Sequence, residues 1–433
     1  MSDITFSTWE LRPGVHLHVA PTEKFKTVRI RVALETPLAQ DTATANALVP
    51  MVLRRGSQRY PTLRDIARHL ESLYGSAFGF DTRKIGESQI IEAHYHVPSE
   101  RFLPGADGLL RASVEFLAET LLRPLLTADG AFLPEYVQSE RESLRQRIDG
   151  LVDERMQYAV QRCYANMCRD EPFGIYRYGK SEDLSHIDPA GLYARYERLI
   201  GESRVHIIVV GAVDPEKTRE LFAAGFPIPR DGLVDIPAPA VAQPKSVRTV
   251  VERLDVLQGV LVLGCRLPVR YADDAYPALL MYNGVLGGFS HSKLFMEVRE
   301  RASLAYTAFS RMDTVKGVQI LFAGIDVGKF EQARDIMLRQ LDDVREGKVT
   351  DSELEATRKA LVNGLRSGLD DPGQIIHARL LGAVGGRQWG VDELVAAVED
   401  VTRDDIAEVA RGVALDTVYF LRDHAGEDEG HAD

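Results

Sequence analysis

The 433-residue sequence is poor in cysteine, and its only three are Cys163, Cys168 and Cys265. Three is too few, and an odd number, for a disulfide framework, which favours a reducing, cytoplasmic setting. The longest apolar runs, such as 205–213, reach the length of a strand and fall far short of the roughly 20 residues that a membrane-spanning helix needs. The first six residues include an acid and lead into no apolar segment, so we expect neither a secretory signal nor a membrane partner.

The chain also lacks an excess of positive charge, since 52 Lys and Arg face 64 Asp and Glu, for a formal net charge of −12. This balance counts against a nucleic-acid partner, which needs a positive surface. The glycine-rich stretch 284–288 is not followed by the Lys-Ser/Thr of a phosphate-binding loop. A dinucleotide fingerprint and a serine-hydrolase elbow are likewise missing, so nucleotide binding and serine hydrolysis have no support.

What the sequence does contain is a weak internal repeat. A shift of 231 residues aligns similar residues without a gap: Pro37 with Pro268, Gly56 with Gly287, Leu73 with Leu304, and 76–78 with 307–309. In each half an apolar strand, 28–34 or 260–265, leads into a helix, a glycine turn, a second helix and another strand. Five of the 20 prolines lie between Pro227 and Pro244, which predicts an extended connection between the halves.

Local patterns complete the fold prediction. Two capping boxes mark helix starts: Thr62 with Asp65, and Thr350 with Glu353. Apolar residues at helical spacing predict a helix over about 330–346 and one long helix over about 134–169. We therefore predict an α+β fold of two similar domains, each a mainly antiparallel sheet with helices packed on one side. The predicted domains are residues 1–226 and 247–433, joined by a proline-rich linker at 227–246.

Two His-x-His pairs, His16/His18 and His94/His96, are candidates for metal ligands. Alternate residues of a strand share a face, so each pair could present two imidazoles to one metal. A zinc site needs at least a third protein ligand, and neither pair has an evident carboxylate or histidine partner nearby in sequence. We favour an exposed strand face for both pairs, with a self-sufficient metal enzyme as the less favoured alternative.

The most distinctive stretch is 286–306, LGGFSHSKLFMEVRERASLAY. It resembles the C-terminal-domain signature of the pitrilysin/insulinase family of inverzincin peptidases, in its mitochondrial-processing-peptidase-like branch. That signature is a small-residue turn, a helix that ends in Leu/Val-Arg-Glu, and Leu-Ala-Tyr entering a strand. Further family-like segments occur at 55–57, 60–61, 73–75, 171–174 and 209–214. The resemblance spans almost the whole chain and implies two domains arranged as a clamshell.

The family's zinc motif is the point of departure. H-x-x-E-H lies on a helix, so that both imidazoles reach one zinc and the glutamate activates its water. The corresponding segment here, 46–53 (NALVPMVL), has no His or Glu and contains Pro50, which removes a helical hydrogen bond. In the later helix, Arg147 stands two turns after Glu140, where the family has its ligand glutamate, and a cation cannot bind zinc. The resemblance therefore implies no metal ligands and no cofactor in this chain.

The resemblance does carry over the family's Arg and Tyr, here Arg299 and Tyr306. In the family this pair binds substrate and stabilises the oxyanion, opposite zinc held by another half of the enzyme. The residue types suit that role, because Arg offers a rigid fork of charged donors and Tyr a neutral, directional hydroxyl. The same resemblance assigns substrate contacts to the preceding turn: Gly287, Gly288, Phe289 and Ser290.

These features imply the non-zinc subunit of a heterodimeric zinc peptidase that acts on unfolded peptides. Its partner would be a homologous subunit that carries the zinc, and the chain would be inactive alone. A peptide substrate could add as a strand to a sheet edge, as extended peptides often do. The alternative is a non-catalytic scaffold or peptide-binding protein of the same fold.

Overall fold

A computed structural model describes residues 4–239 and 243–424, which fall into two compact units. Unit 1 contains the described residues of Met1–Asp149, Ile175–Ala238 and Gly368–Val384. Unit 2 contains those of Gly150–Gly174, Pro239–Ser367 and Gly385–Asp433. Each unit thus includes a segment from the opposite half of the sequence. The boundaries 1–226, 227–246 and 247–433 and the clamshell arrangement stay predictions, and residues 240–242 of that linker lie outside the described residues.

Unit 1 is built on one sheet, with strands β1 (Ser7–Arg12), β2 (Val15–Pro21), β3 (Thr27–Pro37), β4 (Ala77–Ile85), β5 (Ser88–Pro98) and β6 (Arg204–Gly211). Their order across the sheet is β1-β2-β6-β3-β5-β4. The β2–β6 pair is parallel, and the other pairs are antiparallel. β4 therefore forms one edge of the sheet.

Unit 2 has a second sheet, with strands β7 (Arg248–Arg253), β8 (Gly259–Arg266), β9 (Ala305–Asp313), β10 (Val318–Ile325) and β11 (Ala414–Arg422). The order β7-β11-β8-β10-β9 repeats that of β2-β6-β3-β5-β4, and here too only the first pair is parallel. The element order predicted from the repeat of 231 residues is thus present in both sheets. β9, which carries Tyr306, is the edge strand that corresponds to β4.

The helices of the described residues are α1 (Ala43–Leu53), α2 (Leu63–Ser72), α3 (Leu109–Leu122), α4 (Pro134–Asp149), α5 (Arg155–Met167), α6 (Pro189–Glu202), α7 (Pro215–Gly225), α8 (Tyr276–Asn283), α9 (Phe330–Arg345), α10 (Asp351–Gly368), α11 (Pro372–Gly385), α12 (Val391–Asp400) and α13 (Arg403–Gly412). Two π-helical turns, Gly284–Gly288 and Phe295–Arg301, follow α8. Within the described ranges, no helix is long and apolar enough to cross a membrane.

The two helix starts predicted from capping boxes are confirmed. The Thr62–Asp65 box is present, with the Asp65 amide donating to Thr62 Oγ1 at 3.2 Å, and Thr350 caps α10 in the same way. The single helix predicted over about 134–169 is wrong, because α4 and α5 are separated by a 3₁₀ turn at Gly150–Asp153. Glycine inside a helix costs about 1 kcal/mol relative to alanine, and the two helices belong to different units.

The first sheet has one apolar and one polar face. Alternate residues of its strands pack against helices in the unit 1 core, among them Leu17, Ile30, Tyr95 and Ile207. The opposite face carries charged and imidazole side chains, and Thr8 and Glu10 of β1, which lie opposite His18 and His16 of β2, belong to it. On that face Arg379 of α11 donates to Thr8 Oγ1 at 2.8 Å, so α11 lies against it.

Candidate functional site

Helix α1 occupies the place of the zinc-binding helix in the resemblance, and an amide network fills its polar side. Asn46 is fully buried; its Nδ2 donates to Gln89 Oε1 at 2.8 Å, and its Oδ1 accepts from Arg195 Nε at 2.6 Å. Gln89 Nε2 in turn donates to the carbonyls of Ala43 and Arg177. Because these groups already satisfy one another, α1 presents no set of metal ligands.

Helix α4 offers no carboxylate ligand in the expected position either. Glu140, which is buried, forms an ion pair with Arg55 at 3.4 Å. Two turns later, Arg147 Nη1 lies 3.5 Å from the Tyr178 hydroxyl and its guanidinium lies over the Tyr178 ring. A guanidinium held on an aromatic ring is a stable arrangement, and its permanent charge opposes a metal cation.

The glycine turn after α8 packs tightly against β9. Gly287 is buried, and a Cβ atom built there would lie 2.7 Å from the Ser310 backbone nitrogen. Gly288 and Ser290 are exposed, whereas Phe289 is half-buried and stacks on His291 with ring centroids 5.3 Å apart. Three of the four predicted substrate contacts thus reach the surface, and the substrate role of all four stays a prediction.

Arg299 and Tyr306 lie on either side of a tight connection in unit 2. Arg299 lies in the last part of the π-helical turn Phe295–Arg301, and Tyr306 is the second residue of β9. Between them, Ser303 has a positive φ of 51°, and the Leu304 amide donates to the Val298 carbonyl at 3.0 Å. This connection places the two side chains on successive elements of the same unit, and their role toward substrate stays a prediction.

Both side chains are open to solvent. Tyr306 is 76% exposed, which is unusual for a large aromatic side chain at a sheet edge. The Arg299 side chain is 44% exposed; its guanidinium lies 4.6 Å from the Phe295 ring centroid, and its Nε lies 3.6 Å from Glu300 Oε1. An exposed pair of this kind contributes little to folding, so Arg299 stays available to a ligand.

The polar face of the first sheet holds a cluster that the sequence argument missed. Ligand atoms of Asp81, Glu92 and His94 all lie within 4.8 Å of one another. Glu92 is two residues before His94 on β5, and the β4–β5 register places Asp81 opposite Glu92. The statement that His94 has no carboxylate partner nearby in sequence is therefore wrong, and strand alternation would have indicated Glu92.

Two arginines form ion pairs with the carboxylates of this cluster. Arg83 Nε lies 3.1 Å from Asp81 and 3.2 Å from Glu92, and Arg31 Nη1 lies 3.6 Å from Glu92. Burial raises the pKa of Glu92, and burial together with Arg31 lowers the pKa of His94 to about 4. The guanidinium groups balance the two carboxylates and would repel a metal cation, so we interpret the cluster as an ion-pair network.

The other His-x-His pair joins a buried chain of polar groups. His18 Nε2 lies 3.5 Å from His206 Nδ1, and His206 Nε2 lies 3.4 Å from Glu35 Oε2. Arg379 Nη2 lies 2.9 Å from His18 Nδ1 and occupies that side of the ring. Burial, with Arg379 as the next cause, lowers the pKa of His18 to about 2. The predicted exposed face is wrong for His18, which is 4% exposed.

Comparison with known proteins identifies the family. Residues 186–361 match the family model described as peptidase M16 inactive domain. Over 413 residues the chain is 33% identical to the probable inactive metalloprotease YmfF of Bacillus subtilis (strain 168), and the match covers 95% of this chain and 97% of that protein. The chain belongs to the M16 peptidase family. This is the pitrilysin/insulinase family that the sequence resembles, and that prediction is confirmed.

Solved structures give the same result for the fold of this M16 chain. A conserved protein from Enterococcus faecalis V583 has a TM-score of 0.88 and 31% identity, and the match covers 98% of this chain and 100% of that one. The peptidase M16 inactive domain from Pseudomonas fluorescens has a TM-score of 0.78 over 96% of this chain and 98% of its own, at 16% identity. The α+β, M16-like fold is therefore confirmed.

The zinc of the M16 family does not fit this chain. In α1, the segment 46–53 that corresponds to H-x-x-E-H begins with Asn46, whose side-chain amide is hydrogen-bonded to Gln89 and Arg195. In α4, Arg147 stands where the family has its glutamate ligand. Neither helix supplies the imidazole and carboxylate set that a tetrahedral zinc requires. The chain is a metalloprotease-like member of its family in which α1 and α4 lack the zinc ligands.

Proposed function

We propose that this chain is the non-zinc subunit of a two-chain zinc peptidase and supplies Arg299 and Tyr306 to the hydrolysis of unfolded peptides. The observation that carries the proposal is the contrast between two parts of the chain. The zinc positions of α1 and α4 hold an amide network and a guanidinium, while Tyr306 is exposed and Arg299 is held only by a solvent-exposed pair with Glu300 and the ring of Phe295. A chain that keeps one part of a catalytic apparatus needs a partner for the other.

The two side chains suit charge that develops on a substrate carbonyl. The Arg299 guanidinium would hold the substrate backbone and donate charged hydrogen bonds to the carbonyl oxygen as it becomes an oxyanion. The Tyr306 hydroxyl would donate one further directional bond without adding charge. Zinc held by the partner would supply the activated water, and this chain takes no part in that step.

The edge of a sheet offers a way to hold the peptide. Tyr306 lies on β9, the edge strand of unit 2, and an edge strand has free backbone groups that an extended peptide can pair with. Such pairing uses main-chain hydrogen bonds and so accepts many sequences. It is well suited to substrates that are already unfolded.

The test is reconstitution with a homologous subunit that carries an intact H-x-x-E-H motif and is encoded in the same genome. Each chain alone and the equimolar mixture are incubated with an internally quenched unfolded peptide, and metal content is measured by elemental analysis. We expect hydrolysis only in the mixture, with zinc in the partner. Hydrolysis by this chain alone, or stoichiometric zinc bound to it, would contradict the proposal.

A second candidate is a scaffold or peptide-binding protein without hydrolysis. Two observations favour it: the amide network of α1 has no free ligand for a metal, and the relative YmfF is named a probable inactive metalloprotease. This candidate predicts peptide binding by the single chain and no turnover with any zinc-bearing homologue. It also predicts that replacing Arg299 leaves peptide affinity unchanged, because a scaffold has no oxyanion to stabilise.

A further inference from the structure

The polar face of unit 1 contains a recess beside the edge strand β4. The strand register aligns its side chains in two rows across the sheet: Arg29, His96 and Ala77 in one, and Arg31, His94 and Gly79 in the other. These residues line a cavity of about 220 Å³. β4 places the small residues Ala77 and Gly79 on this face, which leaves room for the recess, and a Cβ at Gly79 would meet nothing within 4 Å. We name this recess the Arg29 pocket.

The Arg29 pocket is lined with buried polar atoms that have no hydrogen-bond partner among the described residues. Arg29 Nε, Arg31 Nε and His96 Nε2 are buried and make no hydrogen bond within the described structure. A buried polar group without a partner costs about 1–3 kcal/mol, so several of them in one recess favour the binding of a group that brings hydrogen-bond acceptors. Arginine guanidinium groups that share a recess match a planar anion.

The acids of this face do not neutralise the pocket. Glu92 already faces two arginines, Arg31 at 3.6 Å and Arg83 at 3.2 Å. Glu92 also lies four residues from His96 along β5, or about 13 Å at 3.3 Å per residue. No carboxylate of the described residues lies within ion-pair distance of Arg29. Asp371 is close by, since a Cβ atom built at Gly373 would lie 3.1 Å from Asp371 Oδ1 and 3.3 Å from Arg29 Nη1. The Arg29 end of the recess therefore carries a positive charge that has an acid in its vicinity but no ion pair among the described residues.

Burial has a visible effect on these groups. Burial lowers the pKa of Arg31 although Glu92 opposes the effect, and burial followed by Arg29 lowers the pKa of His96. His96 is therefore neutral at pH 7 and offers one ring N–H and one ring acceptor. An anion that entered the recess would meet arginine donors and a neutral imidazole, with the low local dielectric strengthening each hydrogen bond.

We propose that the Arg29 pocket binds a carboxylate group of an extended peptide. The recess opens beside β4, where a peptide that pairs with the sheet edge would point every second side chain to the polar face. Its volume suits one side chain or one chain end rather than a larger ligand. This inference rests on the peptide substrate of the proposed function, but it concerns the β4 edge of unit 1 rather than the β9 edge of unit 2, and it adds a preference for acidic peptides. The carboxylate belongs either to an Asp or Glu side chain or to the peptide C-terminus.

Three synthetic peptides distinguish the two sources. The first is acetyl-Val-Thr-Val-Glu-Val-Thr-amide, the second has Gln in place of Glu, and the third is the Gln peptide with a free C-terminal carboxylate. Dissociation constants for the full-length chain are measured by isothermal titration calorimetry at pH 7. We expect at least one carboxylate peptide to bind about tenfold or more tightly than the neutral Gln amide, as charge-assisted hydrogen bonds require. The tighter of the two identifies the source.

Variants assign the preference to the pocket. Arg29→Gln, which breaks no ion pair, should abolish it, and Gly79→Val should do the same by filling the recess. Arg68→Gln, an exposed arginine on α2, is the charge-matched control and should leave the preference unchanged. Because the two test variants act by different means, an unfolded Arg29→Gln protein would still leave Gly79→Val as a test. Equal affinity for all three peptides, no binding of any, or a preference that survives either folded variant would overturn the proposal.

The result of the peptide-affinity experiment can be distinguished from the result of the reconstitution experiment that tests the proposed function. A carboxylate preference in the isolated chain, without hydrolysis in the mixture, would keep the Arg29 pocket and reject the peptidase role. Hydrolysis that depends on Arg299, without any carboxylate preference, would keep the peptidase role and reject the pocket.

Discussion

Gly287 and Ser310 approach so closely that a Cβ atom on Gly287 would lie 2.7 Å from both the backbone nitrogen and the Oγ of Ser310. The contact fixes the glycine turn of unit 2 against β9, the strand that begins with Ala305 and Tyr306. Ser310 is held in turn by Asn283, whose Oδ1 accepts from Ser310 Oγ at 2.7 Å. The glycine is therefore a packing requirement, whatever its role toward substrate.

Gly287→Ala should destabilise the protein. The added methyl group must displace the turn or the strand, and overpacking of this kind typically costs about 1–3 kcal/mol. Urea denaturation followed by circular dichroism measures the free energy of unfolding. Gly328→Ala is the control, because a Cβ there meets nothing within 4 Å. An equal stability of the Gly287→Ala and wild-type proteins would show that the turn yields without cost.

Arg299 and Tyr306 should affect turnover in the reconstituted peptidase and not its assembly. Loss of one oxyanion donor typically lowers kcat by about 100- to 1,000-fold, so we expect that range for Arg299→Ala and for Tyr306→Phe. Arg299→Lys keeps the charge but loses the fork of donors, so its kcat should lie between that of the wild type and that of Arg299→Ala. The measurement is kcat together with the elution volume of the complex.

An exposed arginine of the same π-helical turn and an exposed tyrosine of unit 1 serve as controls for this prediction. Arg301→Ala removes an exposed arginine that pairs with Glu297, and Tyr74→Phe removes the hydroxyl of another exposed tyrosine. Neither should change kcat by more than a small factor. Full activity of both Arg299→Ala and Tyr306→Phe in an assembled complex would remove these residues from the mechanism.

A buried ion-pair network in unit 2 should dominate its response to acid. Glu171 accepts from Arg266 at 2.6 Å and pairs with Lys316 at 2.5 Å, and all three side chains are at most 10% exposed. Burial alone would raise the pKa of Glu171, but the hydrogen bonds from Arg266 and Lys316 outweigh burial and lower it. The stabilisation is complete above the unfolded pKa of about 4.3 and disappears as pH falls through the lower folded value.

Glu171→Gln should therefore destabilise the protein by about 3 kcal/mol at pH 7, because it removes the negative charge that faces the buried Arg266 and Lys316, while Arg266 keeps its pair with Asp416. The difference from wild type should shrink as the pH is lowered below about 4.3. Denaturant titrations at several pH values measure it. Glu216→Gln, which breaks an exposed pair with Arg219, should cost about 0.5 kcal/mol or less. A Glu171→Gln penalty of the same size as that control would refute the role of the network.

His18 should make unit 1 less stable in mild acid. Its folded pKa is about 2 because of burial and Arg379, while the unfolded value is about 6.5. The unfolded chain therefore gains a proton below pH 6.5 that the folded chain refuses, and stability falls by about 1.4 kcal/mol per pH unit. We expect His18→Gln to reduce the slope of unfolding free energy against pH between 6 and 4 by that amount.

The matched control for this slope is Thr8→Ala. Thr8 hydrogen-bonds to Arg379 beside His18 but does not titrate, so the variant should keep the wild-type slope. His16, His206 and Glu35 surround the same site and stay in both variants. Identical slopes for His18→Gln and wild type would mean that His18 is protonated in the folded chain.

The sequence was sufficient to predict features that depend on near neighbours. The capping boxes at Thr62 and Thr350, the end of α9 before Gly347, and the apolar strands all follow from spacing along the chain. The family resemblance at 286–306 led to the fold because M16 proteins share it. Local pattern and family signature therefore gave most of the architecture.

What the sequence did not reveal depends on contacts between distant residues. The pairing of Asp81 with Glu92 requires the register of β4 and β5, and the burial of His18 requires α11, more than 350 residues later. The division of the predicted long helix reflects the grouping of Gly150–Gly174 with unit 2, which no local period encodes. The Arg29 pocket likewise results from small residues on one strand facing large ones on two others.

The exchange of segments between the two halves constrains biosynthesis. The sheet of unit 1 is complete once residue 211 has been made, but Arg379, which covers His18, is translated much later. The polar face of that sheet therefore lacks Arg379 until the ribosome has translated the chain from residue 211 to residue 379. At about 5–20 residues per second, this takes roughly half a minute or less. A fragment that ends at the proline-rich linker would lack α11, which belongs to unit 1, and so would not reproduce the structure of that unit.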